Sequence, residues 1–439
     1  MLLSLDINSL HDCVVSSSKR HLVNKETEYI AQIVKHKRHV LDYTLQETSK
    51  GICCVSYLSK LENLYVPSIN EEYLPLLCEK LDIKEELSKS FVSEEVLSKA
   101  FKAYFSHKYD RLKEIYESID APCFSASSGI ITCLYMLSKN NYTSCNEIFQ
   151  SLDVIKGAMK FYEASLFIYA VSEYSIRLNN YKEAYEFLIN LDDINIRDNY
   201  LASAIYENNI RVSFHLRNDI RFMYFYNKLK NLNFLGFPMN HNFIIQSMYD
   251  CYIARSFKYI NLDSFSQVDY SLIDSDVIDE IKYYGYLSQA EMLHEDEYNL
   301  KLLFDKIVTT EKELIKIPVY VALLAYIAYL INELEYYEKL DIINHNSIVI
   351  TLDTPDIRFT NFVLLYASDL SNENLVDHAK ETIINNLEKE QNYIYSYVYK
   401  ECYENALLVL NKYRDVCLIE KSYKNTSHIR DRRIYSFEI

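Results

Sequence analysis

Residues able to hold a proton, a metal or a phosphate are spread through the 439-residue chain, and few stand at spacings that make chemistry. His294-Glu295-Asp296-Glu297 opens like a zinc-peptidase helix, but the second histidine that such a metal needs is missing where it must fall. The stretch reads as an exposed helix end. No GxSxG elbow and no Cys–His signature supplies a nucleophile with its base. The five glycines (Gly51, Gly129, Gly157, Gly236, Gly285) are too scattered for a phosphate-cradling loop, and neither GxGxxG nor a Walker loop occurs. Ten cysteines form no CxxC pair, and adjacent Cys53 and Cys54 are poorly placed for a shared metal or a disulfide. They read as buried, reduced thiols of a cytosolic protein. These patterns point away from an enzyme, a metal or a cofactor. What remains is a run of cations, Lys35-His36-Lys37-Arg38, suited to phosphate oxygens rather than to bond making. Taken alone such a run is a solvated helix face, so its weight depends on the elements around it.

Those elements are helical. The chain holds 41 Tyr and 20 Phe but no Trp, five Gly and six Pro, and so little punctuation argues for long helices over many tight turns. Its length suits two or three units. The formal net charge is -16, yet residues 1–65 carry eight Lys/Arg against seven Asp/Glu, so the negative excess lies beyond them. An acidic body would repel nucleic acid from everything except a small head. No run of eighteen apolar residues appears and no basic leader precedes the apolar start, so neither a membrane span nor a signal peptide is expected, and a cytoplasmic location follows.

The head is residues 27–85. Ile30, Ile33, Val34 and Lys37 keep a helical period beside the basic run. Thr44 with Glu47 three positions on has capping-box spacing and starts a second helix. Gly51 stands where that helix must end, since glycine adopts left-handed backbone at low cost. A third helix, VSYLSKLEN, follows, and Pro67-Ser68 break the chain before a short helix ending near Leu81. Short helices with glycine at the tight turn make a helix-turn-helix pattern.

TLQETSKGICCVSYLSKLEN and the downstream YLPLLCEKLDI resemble the phage-repressor-type (XRE) domain, a five-helix fold. The resemblance implies that the third helix enters the major groove of double-stranded DNA. Base contacts would then fall on Val55, Ser56 and Lys60: a thymine methyl, a versatile hydroxyl and a cation within reach of guanine. Tyr57 and Ser59 would lie near phosphates, as would Lys37 and Arg38. It also implies an internal ion pair between Arg38 and Glu62. Leu45 replaces a phosphate-contacting Gln of the family, and Leu64 a Gly that follows the Asn, which bears on affinity more than on fold.

After a polar joint near Lys84–Ser90 the body, residues 90–439, carries one recurring element. Tyr109, Tyr142 and Tyr181 follow paired polar residues, with Ile220 in the corresponding place, and subtraction gives spacings of 33, 39 and 39. A period near 34 with paired helices is the tetratricopeptide signature. Asn179-Asn180-Tyr181 is the cleanest copy, and Ala184 marks a close helix approach. Further pairs are expected to start near 243, 283, 318, 359 and 392, an α-solenoid with a binding surface. Most tyrosines would be core.

Such repeats behind an XRE head resemble the peptide-pheromone receptors of Gram-positive bacteria, the Rgg, PlcR, NprR and PrgX group. The resemblance implies a homodimer controlled by a short signalling peptide, with Asn209 holding the peptide backbone. Arg211 and Arg255, within apolar helices, could receive its carboxylate. All three residues would otherwise be solvated rims. Three readings stay open: a peptide-responsive transcription regulator, a regulator whose repeats only dimerise or bind a protein, and an interaction scaffold whose head no longer binds DNA. The basic tail residues Lys424, Arg430, Arg432 and Arg433 could touch DNA or a neighbouring subunit, or be a solvated end. Residues 1–26 are an extension, either part of a dimer interface or a flexible arm.

Overall fold

The computed structural model describes residues 5, 8–17, 23–87, 92–119, 125–257, 275–346, 355–368, 394–395, 397–399 and 401–402. Among these residues the regular elements are helices without a strand, so the protein is all-α. The chain divides into two compact units, residues 1–212 with 225–238, and residues 213–224 with 239–439. The tail cations lie outside the described residues, and of the pair expected near 392 only residues 394–395, 397–399 and 401–402 are described.

The first unit begins with α1 (Asn8–Ser17). The head follows as α2 (Lys25–Val40), α3 (Leu45–Ser49), α4 (Val55–Glu62), α5 (Tyr73–Leu81) and α6 (Lys84–Leu87). Three helical hairpins come next: α7 (Glu94–Phe105) with α8 (Tyr109–Glu117), α9 (Ala126–Ser138) with α10 (Tyr142–Ile155), and α11 (Phe161–Arg177) with α12 (Tyr181–Leu188). Within each pair the helices pack together, and α9 packs on both α7 and α11, so the hairpins stack in chain order. The seam is aromatic: Phe149 lies 6.1 Å from Phe167 and 5.5 Å from Tyr174 between ring centres. Burying a ring such as Phe149, fully enclosed, contributes roughly 1.5–3 kcal/mol. The extension is neither arm nor loose end where it is described. α1 buries Leu10 and Val14 against α11 and the 3-10 turns at 156–158 and 189–191. The polar joint likewise begins as the helical turn α6, whose Leu87 packs on the head core.

The repeated tyrosine has a mechanical meaning. Tyr109, Tyr142 and Tyr181 each open the second helix of a hairpin. Two residues earlier His107, Asn140 and Asn179 take left-handed φ of 55°, 55° and 57°. The next amides then reach back five residues: Lys108 to the Ala103 carbonyl at 2.8 Å, Asn141 to Met136 at 3.0 Å, Asn180 to Ser175 at 2.8 Å. This is the Schellman end of a helix. The tyrosine closes the turn from the other side: the Tyr142 and Tyr181 hydroxyls donate to Asn140 and Asn179 Oδ1, both at 3.1 Å, and Tyr109 stacks on His107.

The same device corrects the register of the fourth copy. α13 (Asn199–His215) ends with Arg217 at φ 51° and an Asn218 amide bonded to the Ser213 carbonyl at 2.8 Å. α14 (Asp219–Asn231) therefore puts Asp219, not Ile220, in the tyrosine's place. Burial agrees, because the residue three on is enclosed in every copy: Leu112, Cys145, Ala184 and Phe222. Ile220 is 69% exposed. Scarce glycine thus does not mean scarce tight turns, since Asn, Asp, His and even Leu64 take positive φ among the described residues.

The second unit holds α15 (Met239–Phe257), α16 (Ser275–Met292), α17 (Glu297–Thr310), α18 (Pro318–Ile331), α19 (Leu334–Asn346) and α20 (Pro355–Ser368). The helices starting at 239, 318 and 355 stand within four residues of the starts expected near 243, 318 and 359, whereas the one expected near 283 begins at 275; two begin at proline, which fits the first helical position. α18 is apolar all round and packs on α17, α19 and α20. Tyr320 and Tyr326 are core with satisfied tips: the Tyr320 hydroxyl donates to the Asp279 carbonyl at 2.7 Å, and the Tyr326 hydroxyl accepts from the Tyr397 hydroxyl at 2.6 Å. No helix among the described residues is long and apolar enough to cross a membrane.

Candidate nucleic-acid interface

Helix α4 is only eight residues long, so its presentation depends on what holds it. Its inward face is Leu58, Leu61 and Glu62, all buried, and its outward face carries Val55, Ser56 and Lys60, all exposed. The two leucines join Ile30, Ile33 and Val34 of α2 and Leu77 and Leu81 of α5 in one apolar cluster. Ahead of α4, the Thr44–Glu47 capping box forms in both directions: Thr44 Oγ1 accepts from the Glu47 amide at 3.1 Å, and Glu47 Oε2 from the Thr44 amide at 2.8 Å. Gly51 sits in the tight turn between α3 and α4 with φ 78°.

The expected ion pair is present and bidentate. Arg38 Nε and Nη2 donate to Glu62 Oε1 and Oε2, both at 2.7 Å, and Nη1 donates to the Tyr43 carbonyl at 2.9 Å. With both partners buried, this fork ties α2 to the end of α4. It also corrects one expectation: Arg38 is spent inside the head and positions α4, rather than meeting a phosphate. Burial, then the Lys37 and His39 charges, push the neighbouring His36 down to about 4, so that ring is uncharged near neutrality. Of the basic run, Lys37 is half-buried on α2.

Tyr57 is also engaged. Its hydroxyl accepts from the Asn70 amide at 2.8 Å, and its ring meets Tyr73 edge-on at 5.1 Å, so it braces the approach to α5. The phenol proton is left for an outside acceptor. Ser59 is half-buried, and its carbonyl accepts from Asn63 Nδ2 at 2.8 Å. Leu64, which follows Asn63, takes left-handed backbone with φ 57°. A left-handed non-glycine residue costs roughly 1–2 kcal/mol, whereas burying leucine contributes roughly 1.5–3 kcal/mol, and Leu64 is 3% exposed. Burial wins.

Two cations that spacing did not reveal flank the turn. Lys80 of α5 reaches the Lys50 carbonyl at 3.0 Å, which brings the exposed Lys50 and the end of α5 together beside Gly51. Thirty positions separate them, so no linear pattern could show it.

The head is not a free module. Gln32 of α2 donates to the Ala158 carbonyl at 3.0 Å and to Glu163 Oε2 at 3.2 Å, while its Oε1 accepts from the Ala126 amide at 2.8 Å. Glu163 also accepts from Ser127 Oγ at 2.6 Å and from the Lys160 amide at 3.0 Å, and Lys160 pairs with Glu28 at 2.5 Å. Burial raises the Glu163 carboxyl above its ordinary range, opposed by these hydrogen bonds. Ala158 belongs to the head's apolar cluster. A side chain at Gly157 would put its Cβ 2.5 Å from Asn63 Oδ1, so glycine there allows the close approach to the end of α4.

The residues expected to hold a peptide are already engaged. Asn209 is buried and donates to the Ile205 carbonyl of its own helix at 2.9 Å. Arg211 lies 3.6 Å from Glu207, one turn back on the same face, and Arg255 pairs with Asp219 at 2.7 Å beneath the Phe214 ring. Asn209 and Arg211 belong to the first unit, Arg255 to the second. Neither arginine offers an unengaged cation, because each has an acidic residue within its own unit. His294 pairs with Glu295 at 3.2 Å, and no group of three metal-ligating side chains occurs among the described residues. No family model, curated protein or solved structure matches the chain.

Proposed function

We propose that this chain is a sequence-specific regulator of transcription that binds double-stranded DNA through α4, works in the cytoplasm as a homodimer, and is controlled through its helical repeats. The observation that carries this reading is the outward face of α4: Val55, Ser56 and Lys60 are exposed on a helix whose opposite face is clamped by Arg38 and Glu62. Preorganisation of that kind is what a base-reading helix needs, since side chains held on a rigid element reach base edges in one register. In this reading Lys50, Lys37 and the Tyr57 hydroxyl meet phosphates beside it.

For the repeats, stacked hairpins favour binding an extended or helical partner, and a short signalling peptide is one such ligand. The internal engagement of Asn209, Arg211 and Arg255 favours a second reading, in which the repeats dimerise or bind a protein without a peptide. No chemical step is part of either proposal.

Recovery of genomic DNA fragments by the purified chain at moderate salt tests the core of the reading. A few enriched sites are expected, with Lys60→Ala flattening the preference at unchanged helix content. If Lys60 meets only phosphate, its loss lowers the salt dependence by about 0.9 in slope and leaves sequence choice intact. Absence of enrichment both with and without host culture extract overturns the proposal.

A further inference from the structure

One side chain of α2 is held from three directions. Gln32 is buried, and its amide has its nitrogen bonded to two acceptors and its oxygen to one donor. The partners stand on different elements. The Ala126 amide opens α9, the Ala158 carbonyl ends the turn after α10, and Glu163 lies in the first turn of α11. Gln32 therefore straddles the seam between the second hairpin and the third. A planar amide presents its donors and acceptor at fixed angles. When one hairpin shifts against the other, either α2 follows or a buried hydrogen bond is lost.

A second contact runs from the same seam to α4. Gly157, in the turn between these hairpins, comes so close that a Cβ would lie 2.5 Å from Asn63 Oδ1 and 2.8 Å from Lys35 Nζ. Asn63 stands at the C-terminal end of α4, and Lys35 of α2 donates to it at 3.4 Å. Helix α10 packs on α2 as well. Six positions beyond Gln32 on α2, Arg38 forks onto Glu62 of α4. One helix thus carries both the seam contact and the clamp on α4, and a contiguous, hydrogen-bonded path of this kind passes displacement between the two.

We propose that Gln32 is a positioning residue that conveys the packing of the second hairpin on the third to α4, so that a partner altering this seam alters how α4 is presented to DNA. The consequence for DNA rests on the function proposed above. The mechanical coupling belongs to the first unit and stands apart from it.

A double-mutant cycle in the full chain tests the coupling. Phe149→Leu loosens the seam, because the Phe149 ring meets Phe167 and Tyr174 of α11 and lies outside the head's apolar cluster. The readout is hydrogen exchange of the α4 amides. Phe149→Leu is expected to speed that exchange about fivefold in the native background and less than about twofold in Gln32→Ala, where the link is already cut. A merely structural Gln32 would give equal factors in both backgrounds, and equal factors overturn the proposal. Leu112→Val, at a buried position of the first hairpin, is expected to leave α4 exchange unchanged. An effect as large as that of Phe149→Leu overturns the proposal too. If Phe149→Leu does not fold, Ser127→Ala takes its place, since it removes from α9 the 2.6 Å donor to Glu163. DNA affinity is expected to fall with rising α4 exchange across the same variants, and affinity untouched by Phe149→Leu in a chain that binds DNA overturns the regulatory claim. A native chain that recovers no DNA overturns the reading of α4 as a DNA helix, while the exchange cycle alone decides the coupling.

Discussion

The head and the hairpins of the first unit are built on opposite economies. In the head, a few polar links carry the arrangement: one capping box, one bidentate ion pair and one glutamine with three partners. In α7–α12 the same job falls to many apolar contacts and to one turn design used three times. The difference teaches where each region is fragile. A polar link fails all at once, because its loss strands a buried partner. A repeated apolar seam yields by degrees.

The sharpest way to break this contrast is Glu62→Ala. It leaves the Arg38 guanidinium buried without its carboxylate, which costs about 3–5 kcal/mol. Hydrogen exchange should show α4 amides losing protection while those of α11 keep theirs. Equal loss in both helices would mean that head and hairpins share one cooperative unit despite their different construction.

Next in size is Gln32→Ala, which strands the Ala126 amide and weakens the hold on Glu163, at about 1–3 kcal/mol. Here pH sharpens the comparison. The folded Glu163 carboxyl titrates above its unfolded value of 4.5, so folded protein binds more protons across that interval. Its contribution is complete below 4.5 and is lost as pH rises through the raised value. Removing the Gln32 hydrogen bond raises the carboxyl further, so thermal unfolding of Gln32→Ala should remain pH-dependent to a higher pH than in the native chain. Identical profiles would mean that Gln32 does not bear on Glu163.

The smallest effect belongs to the hairpins. Asn179→Ala places alanine at φ 57° and removes the acceptor of the Tyr181 hydroxyl, a loss of roughly 1 kcal/mol by thermal unfolding. Asn179→Gly should recover most of it, since glycine takes that conformation freely. If both variants cost the same, the Tyr181–Asn179 clasp outweighs the backbone term.

Much of this could be read along the chain, and the remainder has a common cause. The capping box and Gly51 act within a few residues, so Thr44, Glu47 and the turn were legible. The tyrosine period was legible for the same reason, because each copy closes its own turn. The fourth copy slipped by one position since Arg217 and Asp219 carry neither the asparagine or histidine nor the aromatic that marked the others. Gln32 gave no sign, because its partners lie 94 to 131 positions away and each looks ordinary where it stands. Arg38 was expected both near phosphates and in a pair with Glu62, and only the packing shows that the buried, bidentate pair engages its guanidinium. Asn209 matched by position, but which way an asparagine turns within a helix is decided by packing.

The 3-10 turn at 156–158 has a consequence for how such a protein can diversify. Ala158 completes the apolar cluster of α2, α4 and α5, and Gly157 clears space for the end of α4. A chimera joined between α6 and α7 would leave that cluster with a hole and Gln32 facing a foreign surface. A transplantable cassette therefore extends through Glu163 in α11, and the seam that tolerates recombination lies beyond the third hairpin rather than at the polar joint.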